Sequence, residues 1–179
     1  IWGVSTLLGW SLPETGFMWV TAVFAVILAI YTAFLFAQAK GRDFWQSPTL
    51  PLHMLVHSLL AGGAVFAIMS LVFDFSLWNS LVRHILLAGI VVNVLTLISE
   101  LTITHPTKAA KKVVHMILRE EYKNKFWIGT VLLGNVIPLI LLLTTGNMIL
   151  LGVTGVLVLV GMYITEKIWI EGPQRIPLA

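Results

Sequence analysis

Polar and apolar positions in this chain separate into long blocks. Apolar runs fill residues 16–37, 50–73, 78–99, 126–145 and 147–168. Each is close to the ~20 residues a helix needs to cross ~30 Å of hydrocarbon. Spanning β-strands would appear as ~10-residue segments of alternating character, and none of these runs alternates. The pattern predicts an all-α integral membrane protein with about five transmembrane helices. Only "TTGN" separates the last two runs, which predicts a tight antiparallel hairpin.

The stretch 104–125, "THPTKAAKKVVHMILREEYKNK", is too charged to span. Within it Ala110, Val113, Val114, Ile117 and Leu118 recur at helical spacing, with the lysines mostly opposite. Thr104 or Thr107 can cap the start, and Pro106 suits a first helical turn. The expected element is an amphipathic helix on the membrane surface. It can serve as a docking surface for a soluble partner or anionic lipid, or as a solvated connector.

Charge orients the runs. If all five span, Lys40, Arg42, Lys108, Lys111, Lys112, Arg119, Lys123, Lys125, Lys167 and Arg175 fall on one side and Arg83 alone on the other. The positive-inside rule makes the first side cytoplasmic. The described segment is then expected to start outside and end in the cytoplasm, with Asp74 and Trp78 at the outer ends of the second and third spans.

Composition supports the membrane reading. Of 179 residues 58% are hydrophobic and 11% charged, less than half the ~25% charged of a soluble domain. Cysteine is absent, which removes disulfides, thiolate zinc sites and cysteine-ligated iron–sulfur clusters from this chain. With Ile first and no basic stretch before an apolar run, no signal peptide is read. The chain is expected to begin partway through a longer protein.

Ionisable residues inside a bilayer usually face a cavity or a partner. Gly89, Asn93, Thr96 and Glu100 follow one another by four, three and four positions, which places them on one face of the third span. That stripe reads either as a hydrogen-bonded proton path or as packing between helices. Glu100 is near the span's cytoplasmic end, where snorkelling would relieve it. His53 and His57 share a face at the cytoplasmic end of the second span, after Pro51, with no carboxylate at matching depth on a neighbouring span except Glu100. A proton relay, a heme, a metal site and interfacial packing all remain open for this pair. A b-type heme normally takes its histidines from two helices, zinc wants a third or fourth ligand, and His84 is at the other membrane face. Gly129, Gly134, Gly152, Gly155 and Gly161 on the hairpin predict close helix approach, and Asn135 and Pro138 interrupt the fourth span.

The stretch "IYTAFLFAQAKGRDFWQSPTLPL" resembles the junction of NrfD/PsrC-type membrane subunits, the family of polysulfide reductase and alternative complex III. Tyr31, Thr32, Lys40, Arg42, Phe44, Trp45, Ser47, Pro48, Leu50 and Pro51 match, whereas Ala33, Asp43 and Gln46 depart from the pattern. The resemblance continues through Glu100 and "HPT", "FWIGTVLLGNVIPL" and "EGPQRIPLA". It implies two four-helix bundles without heme. Residues 1–45 would be an outer segment and the last helix of a first bundle. Residues 46–179 would form the second bundle, with a surface helix at 104–125. The charged "KGRDFW" becomes the cytoplasmic elbow between bundles, with Trp45 at headgroup level.

The resemblance also implies a function: a non-heme, quinone-interacting membrane subunit of a respiratory or photosynthetic electron-transfer complex in a bacterial inner membrane. Quinol oxidation would pass electrons to an iron–sulfur partner, with proton translocation as an added expectation. The quinone (menaquinone or ubiquinone) would bind mainly outside this segment, with Phe17, Met18 and Trp19 nearest to it. Tyr31 is too deep to touch the ring. The expected proton-path residues are Asn93, Thr96, Glu100, His53 and His57. Partners would be the iron–sulfur subunit, other membrane subunits, and a multiheme cytochrome c or molybdopterin subunit. Neither nucleic acid nor a heme or cluster in this chain is expected. A heme-b anchor and a transporter or structural anchor are the competing readings.

Overall fold

The computed structural model describes residues 14–73, 76–144 and 146–177. Helix α1 covers Glu14–Ala37, α2 Leu50–Met69, α3 Ser76–Thr102 and α4 Lys108–Arg119. A π-helical segment, Lys125–Val136, runs into α5, Ile137–Thr144, and α6 covers Met148–Gln174. No strand occurs among the described residues. Five helical stretches are long and apolar enough to cross a membrane: Gly16–Ala37, Leu50–Met69, Leu77–Thr102, Lys125–Thr144 and Met148–Gln174. Asp74 lies outside the described residues.

Several boundaries shift from those the apolar pattern suggests. Helix α2 stops at Met69, where Ser70 turns the chain back onto the Phe66 and Ile68 carbonyls. Helix α6 runs past residue 168 to Gln174, so a stretch expected at the membrane edge is helical and packed. The surface stretch is helical only over Lys108–Arg119, with the Thr107 side chain accepting the Ala110 N–H as its cap. Its apolar face, Ala110, Val113 and Ile117, is buried against the end of the bundle, with Val114 and Leu118 partly covered.

Helices α2, α3, α6 and the π-helical segment with α5 form a four-helix bundle. In lipid there is little hydrophobic drive between helices, so close packing and polar contacts hold them. The glycines supply that closeness. A Cβ on Gly161 would stand 2.1 Å from the Gly134 Cα, and one on Gly155 would stand 2.5 Å from the Ala64 carbonyl oxygen. Away from these crossings Val56, Leu60, Leu86, Ile90, Leu142 and Val158 fill the core. Helix α1 packs beside α2, but only 6% of its apolar stretch is buried, against 33–39% for the other four.

The π-helical turns explain the interruption around Asn135. Buried Gly129 and Gly134, and likewise Thr130 and Asn135, stand five apart, where α-helical winding would set three or four. This wider winding turns both Thr130 and Asn135 inward. The Ile137 N–H still bonds the Leu132 carbonyl five residues back. Pro138 follows at once, so the ladder returns to α spacing where an N–H is missing anyway.

The lysine-bearing loops meet at one end of the bundle. A short 3-10 turn, Asp43–Gln46, links α1 to α2, preceded by Gly41 at φ +80°, which favours glycine. Arg42 ties this elbow to the end of α6 by donating to the Pro173 and Ile176 carbonyls, both at 2.5 Å. Trp45 is not a headgroup anchor. It is buried, and its indole N–H donates to the Trp169 carbonyl at 2.8 Å. At the opposite end Arg83 donates to the Leu142 carbonyl.

Candidate functional site

Four ionisable side chains enter the bundle near its lysine-rich end: His53 and His57 from α2, Glu100 from α3 and Glu166 from α6. The i, i+4 spacing stacks the two imidazoles on one face of α2, ring centroids 4.1 Å apart. Each charge in a bilayer core costs on the order of 2.5–3.5 kcal/mol or more, so such a cluster persists only if its members satisfy one another. They do. His53 Nδ1–H donates to Glu100 Oε2 at 2.7 Å, and the Trp169 indole N–H donates to the same oxygen at 3.1 Å. The Thr49 hydroxyl donates to the other oxygen at 3.4 Å. Glu100 is 2% exposed, so it does not snorkel: donors from α2, α6 and the cap of α2 hold it inside.

The second half of the site can be assigned by elimination. The Thr130 carbonyl can only accept, so the Asn135 amide N–H donates to it at 2.7 Å. Asn135 Oδ1 therefore accepts from the Asn93 amide at 2.9 Å. That orientation turns Asn93 Oδ1 toward His57 Nε2 at 3.1 Å, so this nitrogen carries a hydrogen. His57 Nδ1 is 2.5 Å from Glu166 Oε1. One proton sits between them, as imidazolium with carboxylate or as imidazole with carboxylic acid.

His53 joins the two halves. Its Nε2 is 3.5 Å from the same Glu166 oxygen, buried and without a hydrogen-bond partner. With Nδ1–H committed to Glu100, neutral His53 presents a lone pair at Nε2. It can take a proton there and release one at Nδ1. The groups form an ordered file: Glu100, His53, Glu166, His57, Asn93, Asn135.

The expected stripe on α3 is thus only partly continuous as a hydrogen-bonded array. Asn93 and Glu100 belong to the file, but the Thr96 hydroxyl donates to the Val92 carbonyl of its own helix at 2.9 Å. Gly89 packs beneath Leu60. Continuity runs through α2 and α6 instead. Glu166 corrects the expectation that Glu100 was the one carboxylate at the depth of the histidines. Placed against Lys167 near the end of a run stopped at residue 168, it reads as an edge residue. Its place two turns inside a helix that continues to Gln174 is the signal that identifies it.

His53, His57 and Glu166 offer ligand atoms within 4.8 Å of one another, but His57 Nδ1 and Glu166 Oε1 already touch at 2.5 Å. Two ligands of a tetrahedral zinc with ~2.0–2.1 Å bonds stand roughly 3.3 Å apart. Heme ligation is equally awkward, because the two rings lie on one helix with centroids only 4.1 Å apart and planes tilted by 51°, and cannot approach one iron from opposite sides. Three of their four nitrogens are within hydrogen-bond distance of Glu100, Glu166 or Asn93. His84, at the start of α3, donates to the Ser80 carbonyl.

Phe17, Met18 and Trp19 occupy the first turns of α1, at the end away from the cluster. About 22 Å of helix rise separates Met18 from Ala33, which packs against the elbow. Met18 and Trp19 are 66% and 71% exposed, an aromatic and apolar surface. Tyr31 is also exposed.

A family model described as "Polysulphide reductase, NrfD" matches residues 7–174, nearly the whole chain. No curated protein and no solved structure matches it significantly.

Proposed function

Since the chain belongs to the NrfD (polysulphide reductase) family, whose members are membrane subunits of quinone-linked oxidoreductase complexes with iron–sulfur and other partner subunits, we propose that it couples quinol oxidation to proton movement. In this reading it is a non-heme subunit of a respiratory or photosynthetic complex in a bacterial inner membrane. Its lysine-rich end faces the cytoplasm and the start of α1 faces outside. Residues before α2 complete a first bundle, which the exposure of α1 supports.

The quinol, when bound, would supply two electrons and two protons as it is oxidised to the quinone. The described residues suit one wall of its pocket: Met18 and Trp19 present an apolar, aromatic surface at the outer end, and the remaining contacts come from elsewhere in the complex. Electrons pass to an iron–sulfur partner, in keeping with a chain that has no cysteine.

The observation that carries the proton reading is the file itself, especially the His53 Nε2 lone pair facing the Glu166 oxygen that His57 already bonds. Protons enter or leave the file on the cytoplasmic side through the half-buried Ser47 and Thr49 hydroxyls, which lead to the buried Glu100. They cross His53 by protonation at one ring nitrogen and release from the other, and are held between Glu166 and His57. Asn93 and Asn135 keep the His57 ring oriented.

Quinol added to the purified complex, with the oxidation state of the partner's cluster followed, tests the redox part. The cluster should become reduced. A cluster that quinol leaves oxidised, and that when pre-reduced does not reduce quinone, removes the quinone assignment.

A further inference from the structure

We propose that the groove between the π-helical segment and α6 binds an anionic glycerophospholipid from the leaflet on the lysine-rich side. The groove encloses about 460 Å³ and is bordered by Tyr122, Lys125, Ile128, Leu133, Ile164 and Lys167, among others. Its two ends differ in chemistry, and an amphiphile matches both.

The floor is apolar. Gly129 has no side chain, and Ile164 occupies its place: a Cβ there would stand 2.7 Å from Ile164 Cδ1. Ile128, Leu133 and Ile164 therefore present a continuous surface along which an acyl chain can lie. The mouth is cationic. Lys125 forms no ion pair among the described residues, and its ammonium stands 5.6 Å over the Tyr122 ring. Lys167 is paired with Glu171 only at 3.7 Å and half exposed, a contact of little energetic worth. Burial raises the Tyr122 phenol above its ordinary value, so it remains a neutral donor, within 3.5 Å of Glu171 Oε2. Two lysines against one carboxylate leave a net positive mouth at headgroup depth.

A neighbouring crevice sharpens the assignment. The cavity between α3 and the π-helical segment has a similar volume, about 430 Å³, but its lining from Val94 to Val136 contains no lysine or arginine. It can accept any acyl chain, whereas the lysine-bearing groove selects for headgroup charge. Free phosphate would use the mouth and leave the floor empty, so the lipid is the occupant that fits. Juxtamembrane lysines contribute roughly fivefold each to anionic lipid binding.

The test uses the whole complex, purified and placed in nanodiscs of phosphatidylcholine with a minor fraction of phosphatidylglycerol. Lipid retained after delipidating washes is then counted by native mass spectrometry. Lys125→Gln/Lys167→Gln should lower retained phosphatidylglycerol roughly tenfold or more. Lys111→Gln/Lys112→Gln on the exposed face of α4 should leave it unchanged, and Lys125→Arg/Lys167→Arg should restore it. Excess inorganic phosphate should not displace the lipid. Equal retention in the Gln variant and the wild type, equal retention of phosphatidylcholine, or displacement by phosphate would each overturn the proposal.

Discussion

His57 and Glu166 face each other across the α2–α6 contact with 2.5 Å between Nδ1 and Oε1. The carbonyl of Thr130, acting through Asn135 and Asn93, fixes the other ring nitrogen as a donor. A backbone carbonyl three residues removed in the chain of contacts thus decides the tautomer of a histidine. The pair shares one proton, and His53 Nε2 stands 3.5 Å from the same Glu166 oxygen.

The first prediction concerns heme. Replacing His53 and His57 together with Gln should leave any b-type absorbance of the complex unchanged per assembled particle. Both rings are engaged by carboxylates and an amide, with no space between them for a macrocycle. Loss of a b-type signal in the assembled double variant would install the heme-anchor reading.

Helix closeness makes a second prediction. Gly161→Ala drives a methyl into the Gly134 backbone, where no side chain can give way, so it should cost about 1–3 kcal/mol or more. Gly62→Ala meets nothing within 4 Å and should be neutral, or stabilising by about 0.5–1 kcal/mol through helix propensity. Thermal inactivation of the two variant complexes checks the difference. Equal midpoints would mean the helices are not held at this crossing.

The elbow supplies a third. Arg42→Ala removes two hydrogen bonds to the Pro173 and Ile176 carbonyls, each worth on the order of 2 kcal/mol with a charged donor. The end of α6 should fray, and amide exchange after Gly172 should quicken by at least tenfold while exchange in the middle of α6 stays slow. Unchanged exchange there would show that the elbow is held by Trp45 and its neighbours alone.

Topology can be read directly. Tags inserted at Gly41 and after Arg175 should both report cytoplasm, and one beside Ser76 should report the outside. The ten-to-one division of Lys and Arg motivates this. Gly41 and Ser76 on the same side would contradict five crossings.

Much of the architecture was legible because a bilayer enforces it. Five apolar runs give five spanning helices, and the glycines on the hairpin mark the crossing of Gly134 and Gly161. The π-helical turns were not legible, since winding depends on which side chains the neighbouring helices pull inward; Asn135 looks like an ordinary interruption until Asn93 of α3 stands beside it. Of the proposed path, Asn93, Glu100, His53 and His57 come together, while Thr96 turns back onto its own helix. Glu166 was hidden because the apolar run ends two residues beyond it, which sets it at the apparent edge of the span. Packing against the elbow carries α6 beyond that point. Trp45 was misplaced for a related reason: an elbow that folds into the bundle buries a ring that would otherwise sit among headgroups.

The ratio of protons moved to electrons transferred in proteoliposomes containing the whole complex, with Glu166→Gln set beside the wild type, tests the central claim most directly. Glutamine keeps the shape and can donate its amide N–H to the His57 Nδ1 lone pair, while removing the titrating group between the two histidines. Electron transfer should persist within about twofold, and the ratio should fall to what quinol chemistry alone releases. An assembled Glu166→Gln complex with an unchanged ratio would contradict the account and leave the cluster as packing.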